Sequence, residues 1–314
     1  MAKADRGLAH VARWFLTRKA ARWPASVANT ARPDLPEAVE PGQVAVTFVN
    51  HASFLLQTAG LTWLTDPVFA ERASPVTWAG PRRVRPPGLA FEDLPEVHVV
   101  LLSHNHYDHM DVAALARLDA RFQPLFLTGL GNKAVLARLG LRRVAELDWD
   151  ESLRIGDQAV ATFTPAQHFS ARTPFDRNRT LWGGFYLEVE RLRLYFAGDT
   201  GYAGHFRDIR ARLGAPHLAL LPIGAYEPRW FMEVAHLNPE DAVRAHLDLA
   251  ASHSLGMHFG TFQLTDEPFD APVEALHEAR GAAGVEADRF AVLEVGETRR
   301  YAADGDLLTV VPPV

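Results

Sequence analysis

Residues 103–109 constrain this chain more than any other segment, because they read Ser-His-Asn-His-Tyr-Asp-His and place four potential metal ligands within six positions. At the end of a strand, alternation points His104 and His106 to the same side. The turn that follows brings Asp108 and His109 back toward them. Two ligand pairs that are close but differently aimed suit two metal ions better than one.

This segment lies between a predicted strand and a predicted helix. The apolar run at 97–103 predicts a buried strand, and Asp111 is placed to cap a helix over 112–118. From Val44, three β-rich runs predict an antiparallel meander. Further strands are predicted at 124–128, 160–166, 185–189, 192–198 and 217–223, with helices near 131–139, 203–213 and 239–250. Mixed strands flanked by helices indicate a single layered α/β domain.

The chain has fourteen histidines and no cysteine, which limits the metal chemistry it can support. Disulfides, thiolate nucleophiles and cysteine-rich zinc modules are excluded, so imidazole and carboxylate must hold any metal. These ligands favour Zn²⁺, and iron or manganese is chemically compatible. The net charge of −6, from 32 basic and 38 acidic residues, argues against a nucleic-acid partner.

Residues 1–43 are expected to form a basic N-terminal arm and a Pro-rich linker, and residues 44–314 a single hydrolase domain. Four apolar residues of the arm fall near helical spacing beside arginines: Leu8, Val11, Trp14 and Phe15. This pattern indicates either a short helix packed on the domain or a helix on an anionic membrane surface.

Neither a membrane-spanning helix nor a secretory signal is predicted. No apolar run approaches the roughly 20 residues that a spanning helix needs. The first 30 residues also lack the uninterrupted apolar stretch of about 7–15 residues typical of a signal. We therefore expect a cytoplasmic protein, peripheral at the inner face of the membrane if the arm binds lipid.

Three more potential ligands follow other predicted strands, each near Gly or Pro. His168 ends the run Thr-Pro-Ala-Gln-His, Asp199 lies within Ala-Gly-Asp-Thr-Gly, and His258 follows a short apolar run. A dinuclear site needs ligands from several strand-end loops, so the three complete a plausible set with residues 103–109.

This four-part pattern, residues 103–109 with His168, Asp199 and His258, resembles the ligand series of the metallo-β-lactamase superfamily of binuclear hydrolases. The resemblance implies an αββα sandwich, in which two mixed β-sheets are flanked by helices and the metal site lies at one edge between the sheets. It implies two divalent metal ions per chain. The first would be held by His104, His106 and His168, the second by Asp108, His109 and His258, with Asp199 bridging them.

A narrower resemblance, to the N-acylphosphatidylethanolamine-hydrolysing phospholipase D family, runs from about residue 44 to 303. It is carried by residues 64–69, 72–75, 146–149 and 198–202, and above all by Pro-Ile-Gly-Ala-Tyr-Glu-Pro-Arg-Trp-Phe-Met at 222–232. One departure is Asn50, where this family pattern would have glycine. The resemblance implies a phospholipid or other phosphodiester substrate, and a homodimer.

The implied reaction is hydrolysis of N-acylphosphatidylethanolamine to phosphatidic acid and N-acylethanolamine by a hydroxide that bridges the metals. Asp108 and His236 are the candidate catalytic residues, and His236 is expected to contact phosphate or assist the leaving group. Candidate substrate-binding residues are Tyr226, Glu227, Arg229, Trp230 and His236. His51 and Asp66 are candidates for orienting the ligating imidazoles, although a structural role is the alternative for His51.

Two alternatives stay open at the level of sequence. One is a soluble hydrolase of the same fold that acts on a phosphorylated sugar, a lactone or a cyclic nucleotide, since one metal centre serves many chemistries. The other is a metal-dependent binding or regulatory scaffold without enzymatic activity.

Overall fold

Two β-sheets form the framework of the protein. The computed structural model describes residues 6–304 and 307–311. The parts of the predicted arm and domain that fall at 1–5, 305–306 and 312–314 therefore lie outside the described residues.

The first sheet contains eight strands: β1 (Gln43–Asn50), β2 (Ser53–Thr58), β3 (Leu61–Thr65), β4 (Val99–Leu102), β5 (Leu125–Gly129), β6 (Val144–Leu147), β14 (Thr298–Asp304) and β15 (Leu307–Val311). Their order is β15-β14-β1-β2-β3-β4-β5-β6. β1 to β3 form the predicted antiparallel meander, and β3 to β6 run parallel. The sheet is therefore mixed.

The second sheet contains seven strands: β7 (Ser152–Ile155), β8 (Ala159–Thr164), β9 (Gly184–Val189), β10 (Leu192–Phe196), β11 (Leu218–Pro222), β12 (His253–Met257) and β13 (Phe290–Ala291). Their order is β13-β12-β11-β10-β9-β8-β7. β10 to β13 are parallel, whereas β9 is antiparallel to both β8 and β10. The ends of β8, β10, β11 and β12 consequently face the same edge.

Helices flank the sheets: α1 (Leu8–Thr17), α2 (Val112–Phe122), α3 (Lys133–Arg138), α4 (His205–Leu213), α5 (Arg229–Met232), α6 (Pro239–Leu249) and α7 (Ala271–Ala282). Asp111 caps α2 as predicted, since its carboxylate accepts the backbone N–H groups of Ala113 and Ala114. α2 and α3 bury their apolar sides against the first sheet, and α4, α6 and α7 pack with the second. The predicted α/β sandwich is confirmed.

β4 shows why its sequence is continuously apolar. Val99 and Leu101 join the core between the sheets, and Val100 and Leu102 join the core beneath α2 and α3. A strand covered on both faces has no polar side to alternate with. This burial fixes the end of β4, from which residues 103–109 begin.

The N-terminal segment lies along the domain. After α1, the backbone N–H of Ala21 donates to the carbonyl of Asp266, and the N–H of Val27 donates to the carbonyl of Val84. The Trp23 indole donates to the carbonyl of Glu267. The boundary between arm and domain at residue 43 stays a prediction. Over the part of the chain that the structure describes, no helix has the length and apolar character to cross a membrane.

Candidate metal centre and active site

The predicted ligands meet at one edge of the two sheets. His104 follows β4, His168 follows β8, Asp199 follows β10 and His258 follows β12. Parallel strands place their carboxyl ends at the same edge, so side chains far apart in sequence converge there. The turn between β1 and β2 adds His51, which the structure buries next to them.

Two glycines allow the ligand-bearing loops to approach one another. Gly198 has φ +61°, and a Cβ there would lie 2.7 Å from the Cβ of Ser103. A Cβ on Gly224 would lie 2.2 Å from the carbonyl oxygen of His258. Because no side chain fits at such distances, glycine is needed for the loops to pack at this edge.

Three histidines form the first group of ligand atoms. Nε2 of His104 lies 2.8 Å from Nδ1 of His106, and Nε2 of His168 lies 3.3 Å from the same Nδ1. His104 and His168 are buried, and His106 is partly exposed. The structure thus brings together the three residues that the resemblance implied for one metal.

A second group forms beside the first. Oδ2 of Asp108 lies 3.3 Å from Nε2 of both His109 and His258, and these two nitrogens are 3.1 Å apart. Oδ2 of Asp199 lies 3.2 Å from Nε2 of His109, 3.1 Å from Nε2 of His258 and 3.8 Å from Nε2 of His168. Asp199 therefore contacts both groups, as a bridging ligand would.

These distances fit the coordination of divalent ions. A metal–ligand bond of about 2.0–2.2 Å places two ligands of a tetrahedral ion about 3.3 Å apart. Oδ1 of Asp199 is buried and, among the described residues, has no hydrogen-bond partner. A buried carboxylate oxygen is costly unless a positive charge or a donor compensates it. The cluster is therefore suited to binding divalent metal.

Hydrogen bonds behind the cluster fix the direction of the imidazoles. Nδ1 of His109 lies 2.6 Å from Oδ2 of Asp66, and Nδ1 of His168 lies 2.9 Å from the carbonyl oxygen of Ala235. The Ser103 hydroxyl donates to Asp66 over 2.5 Å, which leaves its oxygen to accept from Nδ1 of His104 at 2.9 Å. Each Nδ1 is then occupied by its own hydrogen bond, and Nε2 is the nitrogen of each ring that faces the metal-binding groups.

The charges in the cluster are strongly shifted. Burial opposes ionisation of Asp108 and Asp199, but the charge and hydrogen bonds of His109 and His258 outweigh it and hold the pKa of both carboxyls well below their usual range. Burial also disfavours charge on His258, yet Asp199 and Asp108 raise its pKa to about 9. The carboxylates therefore draw positive charge to the nitrogens that face them, and a divalent ion would supply it.

His51 and His236 each lie with candidate ligand atoms of the cluster, His51 with Asp108 and His236 with Asp199. Burial, and then His258, lower the pKa of His51 to about 3, so the neutral ring presents Nε2 3.0 Å from Oδ2 of Asp108. Burial lowers the pKa of His236 to about 4, and its Nδ1 lies 3.9 Å from Oδ2 of Asp199. The structure thus places a ring nitrogen of His51 among the atoms of the second group, and His236 beside Asp199.

The other predicted substrate contacts lie on the loop after β11. Arg229 donates to the Asp241 carboxylate at 2.7 Å and to the carbonyl of His236 at 3.0 Å. Tyr226 is buried, Glu227 accepts the backbone N–H of Arg229, and the Trp230 ring lies beneath the Arg13 guanidinium. In this structure the four side chains shape the loop, and their contact with substrate stays a prediction.

A pocket of about 290 Å³ opens over the cluster. Its floor includes His106, Asp108, Asp199 and His236, and its walls are largely apolar. Sequence reasoning did not identify the following lining residues: Arg6, Val11, Trp14, Phe169, Arg177, Ala225, Phe231, Met232, Val234, Ala235, Leu264 and Thr265. Local signals existed for a few of them, since Phe169 directly follows His168 and Ala225, Phe231 and Met232 lie within the motif at 222–232.

Comparison with known proteins decides the family. A family model described as a beta-lactamase superfamily domain matches residues 62–259. N-acyl-phosphatidylethanolamine-hydrolyzing phospholipase D 1 of Caenorhabditis elegans is 38% identical over 263 residues, which cover 80% of this chain and 74% of that protein. The chain belongs to the N-acylphosphatidylethanolamine-hydrolysing phospholipase D family. Both predicted resemblances are thereby confirmed.

Two further relatives agree with this membership. An uncharacterized protein of Mycobacterium tuberculosis is 41% identical over 271 residues, covering 85% of this chain and 70% of that protein. The structure of Igni18, a metallo hydrolase from Ignicoccus hospitalis, matches with a TM-score of 0.65 at 21% identity, covering 83% of this chain and all of that one. At this identity the second match shows the fold alone. Family and fold together confirm that the chain is a metal-dependent hydrolase.

Proposed function

We propose that this protein is a binuclear metal-dependent phosphodiesterase of the phospholipase D type, which hydrolyses N-acylphosphatidylethanolamine-like phospholipids to phosphatidic acid and N-acylethanolamine. One observation carries the proposal. Two groups of His and Asp ligand atoms, joined at Asp199, form the floor of a pocket whose walls are largely apolar. That combination fits a substrate with a phosphate and a hydrocarbon part.

In this proposal the two groups hold two ions, with Zn²⁺ as the chemical default and iron or manganese compatible. His104, His106 and His168 would hold one, Asp108, His109 and His258 the other, and Asp199 would bridge them. When bound, such ions lower the pKa of water from about 15.7 toward 7 and stabilise negative charge on phosphoryl oxygens. No protein nucleophile is then required.

The chain's own residues supply orientation and proton contacts. Asp66 and Ser103 engage Nδ1 of His109 and His104, so that Nε2 of each ring is directed toward the metal-binding groups. His51 donates to the carboxylate of Asp108 and holds it in place. His236 is neutral at pH 7, so its protonated ring nitrogen can hydrogen-bond a phosphoryl oxygen or the oxygen that leaves. Hydrolysis adds water across the phosphorus–oxygen bond on the head-group side, and the leaving oxygen takes up a proton.

The test combines a substrate panel with a metal count. Purified protein of measured metal content is assayed with N-acylphosphatidylethanolamine, a bis-nitrophenyl phosphodiester and a lactone. We expect turnover of both diesters and about two ions per chain. Turnover of the lactone alone would favour the alternative hydrolase and contradict the phosphodiesterase, and active protein with fewer than two ions would contradict the binuclear centre.

We also propose that α1 meets the membrane that carries the substrate. Phe15 and Leu16 are 64% and 87% exposed and adjacent on this helix, so they form a contiguous apolar surface. Lys19 and Arg22 follow them and are exposed as well. Apolar side chains beside cations are typical of helices that lie on anionic lipid.

Sedimentation with anionic liposomes tests this contact. The double variant Phe15→Ser, Leu16→Ser should sediment less than the parent while hydrolysing a soluble diester at the same rate. Leu247→Ser, at a 49% exposed position on α6, serves as the control and should not change sedimentation. Equal sedimentation of all three proteins would reject the contact.

The family resemblance leads us to propose a homodimer as well. Light scattering on the 34.7 kDa chain should then give twice that mass in solution. A single-chain mass across the working concentration range would contradict it.

A further inference from the structure

Helix α1 forms one side of the active-site pocket. Val11 and Trp14 project from α1 into the lining, and Arg6 precedes the helix there. The floor beneath them carries His106 and Asp108. A segment that the sequence separates from every ligand by at least 80 residues thus closes the space above the cluster.

The contacts that hold α1 fall on segments that also line the pocket. The Trp14 ring stacks on Phe231, with ring centroids 5.2 Å apart and planes at 20°. Its indole N–H donates to Asp266, and so does the Arg18 guanidinium, at 3.3 and 2.8 Å. Arg6 pairs with Glu233 at 3.1 Å. Phe231 and the neighbouring Thr265 belong to the lining, so α1 and the pocket wall form one packed unit.

We propose that α1 is a substrate-binding element, in which Val11 and Trp14 form with Phe231 the subsite for an apolar substituent of a phosphodiester whose phosphate lies over the His/Asp floor. This inference rests on the proposed function and adds to it the surface that selects the substrate. The subsite is distinct from the proposed membrane contact, which uses Phe15 and Leu16 on the outer face of the same helix.

The size of the pocket limits what this subsite encloses. Its volume of about 290 Å³ lies just below the range of about 300–1,000 Å³ for sites that bind small molecules. A phospholipid with several long chains is larger than such ligands. The pocket therefore takes the phosphate and the nearest part of one hydrocarbon substituent, and the remaining chains stay outside.

The wall chemistry agrees with this division. Trp14, Phe169 and Phe231 present rigid aromatic surfaces, and Arg177 supplies a cation near His106. Aromatic walls gain binding from burial of hydrocarbon with little loss of side-chain freedom. A cation and a metal-binding floor attract the phosphate. An amphiphilic phosphodiester satisfies both parts, whereas a compact polar ester would leave the wall unused.

The experiment measures binding rather than turnover. Full-length, metal-loaded protein is titrated calorimetrically with butyl, hexyl and octyl phosphate below their aggregation limits. Burial of each methylene strengthens binding by up to about fourfold. In the parent protein we expect affinity to rise with chain length. In Trp14→Ala we expect butyl phosphate to bind as before and the rise per methylene to fall by at least half.

Two further variants distinguish a loss of binding at the subsite from a general effect on folding. Val11→Ala removes two methyl groups from the lining at a position without the anchoring contacts of Trp14, and it should also lower the rise per methylene. Leu16→Ala, on the outer face of the same helix, should leave it unchanged. If Trp14→Ala fails to fold, Val11→Ala alone decides the question.

The same chain-length dependence in the parent, Trp14→Ala and Val11→Ala would overturn the subsite, and so would an absence of dependence in the parent. A different result would overturn the proposed function and leave the subsite intact. In that result no diester is hydrolysed, but the affinity for alkyl phosphates still rises with chain length and Val11→Ala still weakens this rise.

Discussion

Arg172 links the two loops that carry the first group of ligands. Its Nη1 donates to the carbonyl oxygens of Asn105 at 2.8 Å and Met110 at 2.9 Å, on either side of the ligand segment. Its guanidinium lies 4.1 Å from the ring centroid of Tyr107, whose hydroxyl donates back to the Arg172 carbonyl. Because Arg172 follows His168 by four residues, it ties His168 to the segment of His104 and His106. We therefore predict that Arg172→Ala weakens metal binding.

The magnitude follows from these contacts. A hydrogen bond from a charged donor contributes about 1.5–3 kcal/mol, and a cation–π contact adds about 0.5–2 kcal/mol. The side chain is half-buried, so the lower values apply. We expect Arg172→Ala to lower the free energy of unfolding of the metal-free protein by about 3 kcal/mol. Partners that orient ligands typically change metal affinity by about 10–100-fold, and we expect a loss in this range.

Urea unfolding of metal-free protein measures the first quantity, and competition with a chromophoric chelator measures the second. Unfolding is followed without metal because bound metal would itself add stability. Arg172→Lys keeps the charge without the planar fork of donors and should recover only part of both losses.

Arg121 supplies the matched control. Its guanidinium donates to the carbonyls of Phe91 and Leu94 and lies 4.6 Å from the Phe122 ring, at the far end of α2. Arg121→Ala should lower stability and leave metal affinity unchanged. The reasoning fails if Arg172→Ala binds metal as tightly as the parent, or if Arg121→Ala loses metal affinity to the same degree.

Three more predictions test other contacts. Asp199→Asn should lower kcat at least about 100-fold and reduce bound metal from about two ions to about one, because the amide weakens the contact shared by both groups. Metal analysis and diester hydrolysis measure these two effects, and parental activity would disprove the bridging role of Asp199. Asp66→Asn should lower metal affinity about 10–100-fold in chelator competition, because His109 loses its charged acceptor; unchanged affinity would contradict that role. Burial, together with the nearby His253 and Arg289, lowers the pKa of His246 to about 4. Between about pH 6.5 and 4 the unfolded chain therefore binds more protons than the folded protein, and the free energy of unfolding falls as the pH drops through this window. His246→Gln should therefore shrink the difference in unfolding free energy between pH 7 and pH 5 by about 1–2 kcal/mol, and urea titrations that show the parental difference would refute the assignment.

The elements around the site were predictable because local patterns encode them. The apolar run of β4 and the cap at Asp111 bracket the ligand segment in the sequence and in the structure. Other elements were not predicted, among them α7 and the strands β7 and β14. β7 alternates partly and fully exposed residues at the edge of its sheet, so it lacks a buried apolar run. Its strand structure depends on pairing with β8, which a local pattern does not record.

Some features of the candidate site were likewise predictable from the sequence, and others were not. By itself the sequence determined which side chains can bind metal, because ligand chemistry resides in residue type and spacing and because no cysteine competes with His and Asp. Only the tertiary structure decided that Arg229 pairs with Asp241, that Asp66 faces His109, and that Val11 and Trp14 of α1 line the pocket. These contacts join residues that the sequence separates and that no local pattern pairs with one another. The physical reason is that the direction of a side chain depends on which surface packs against it, and that surface exists only once the two sheets have assembled.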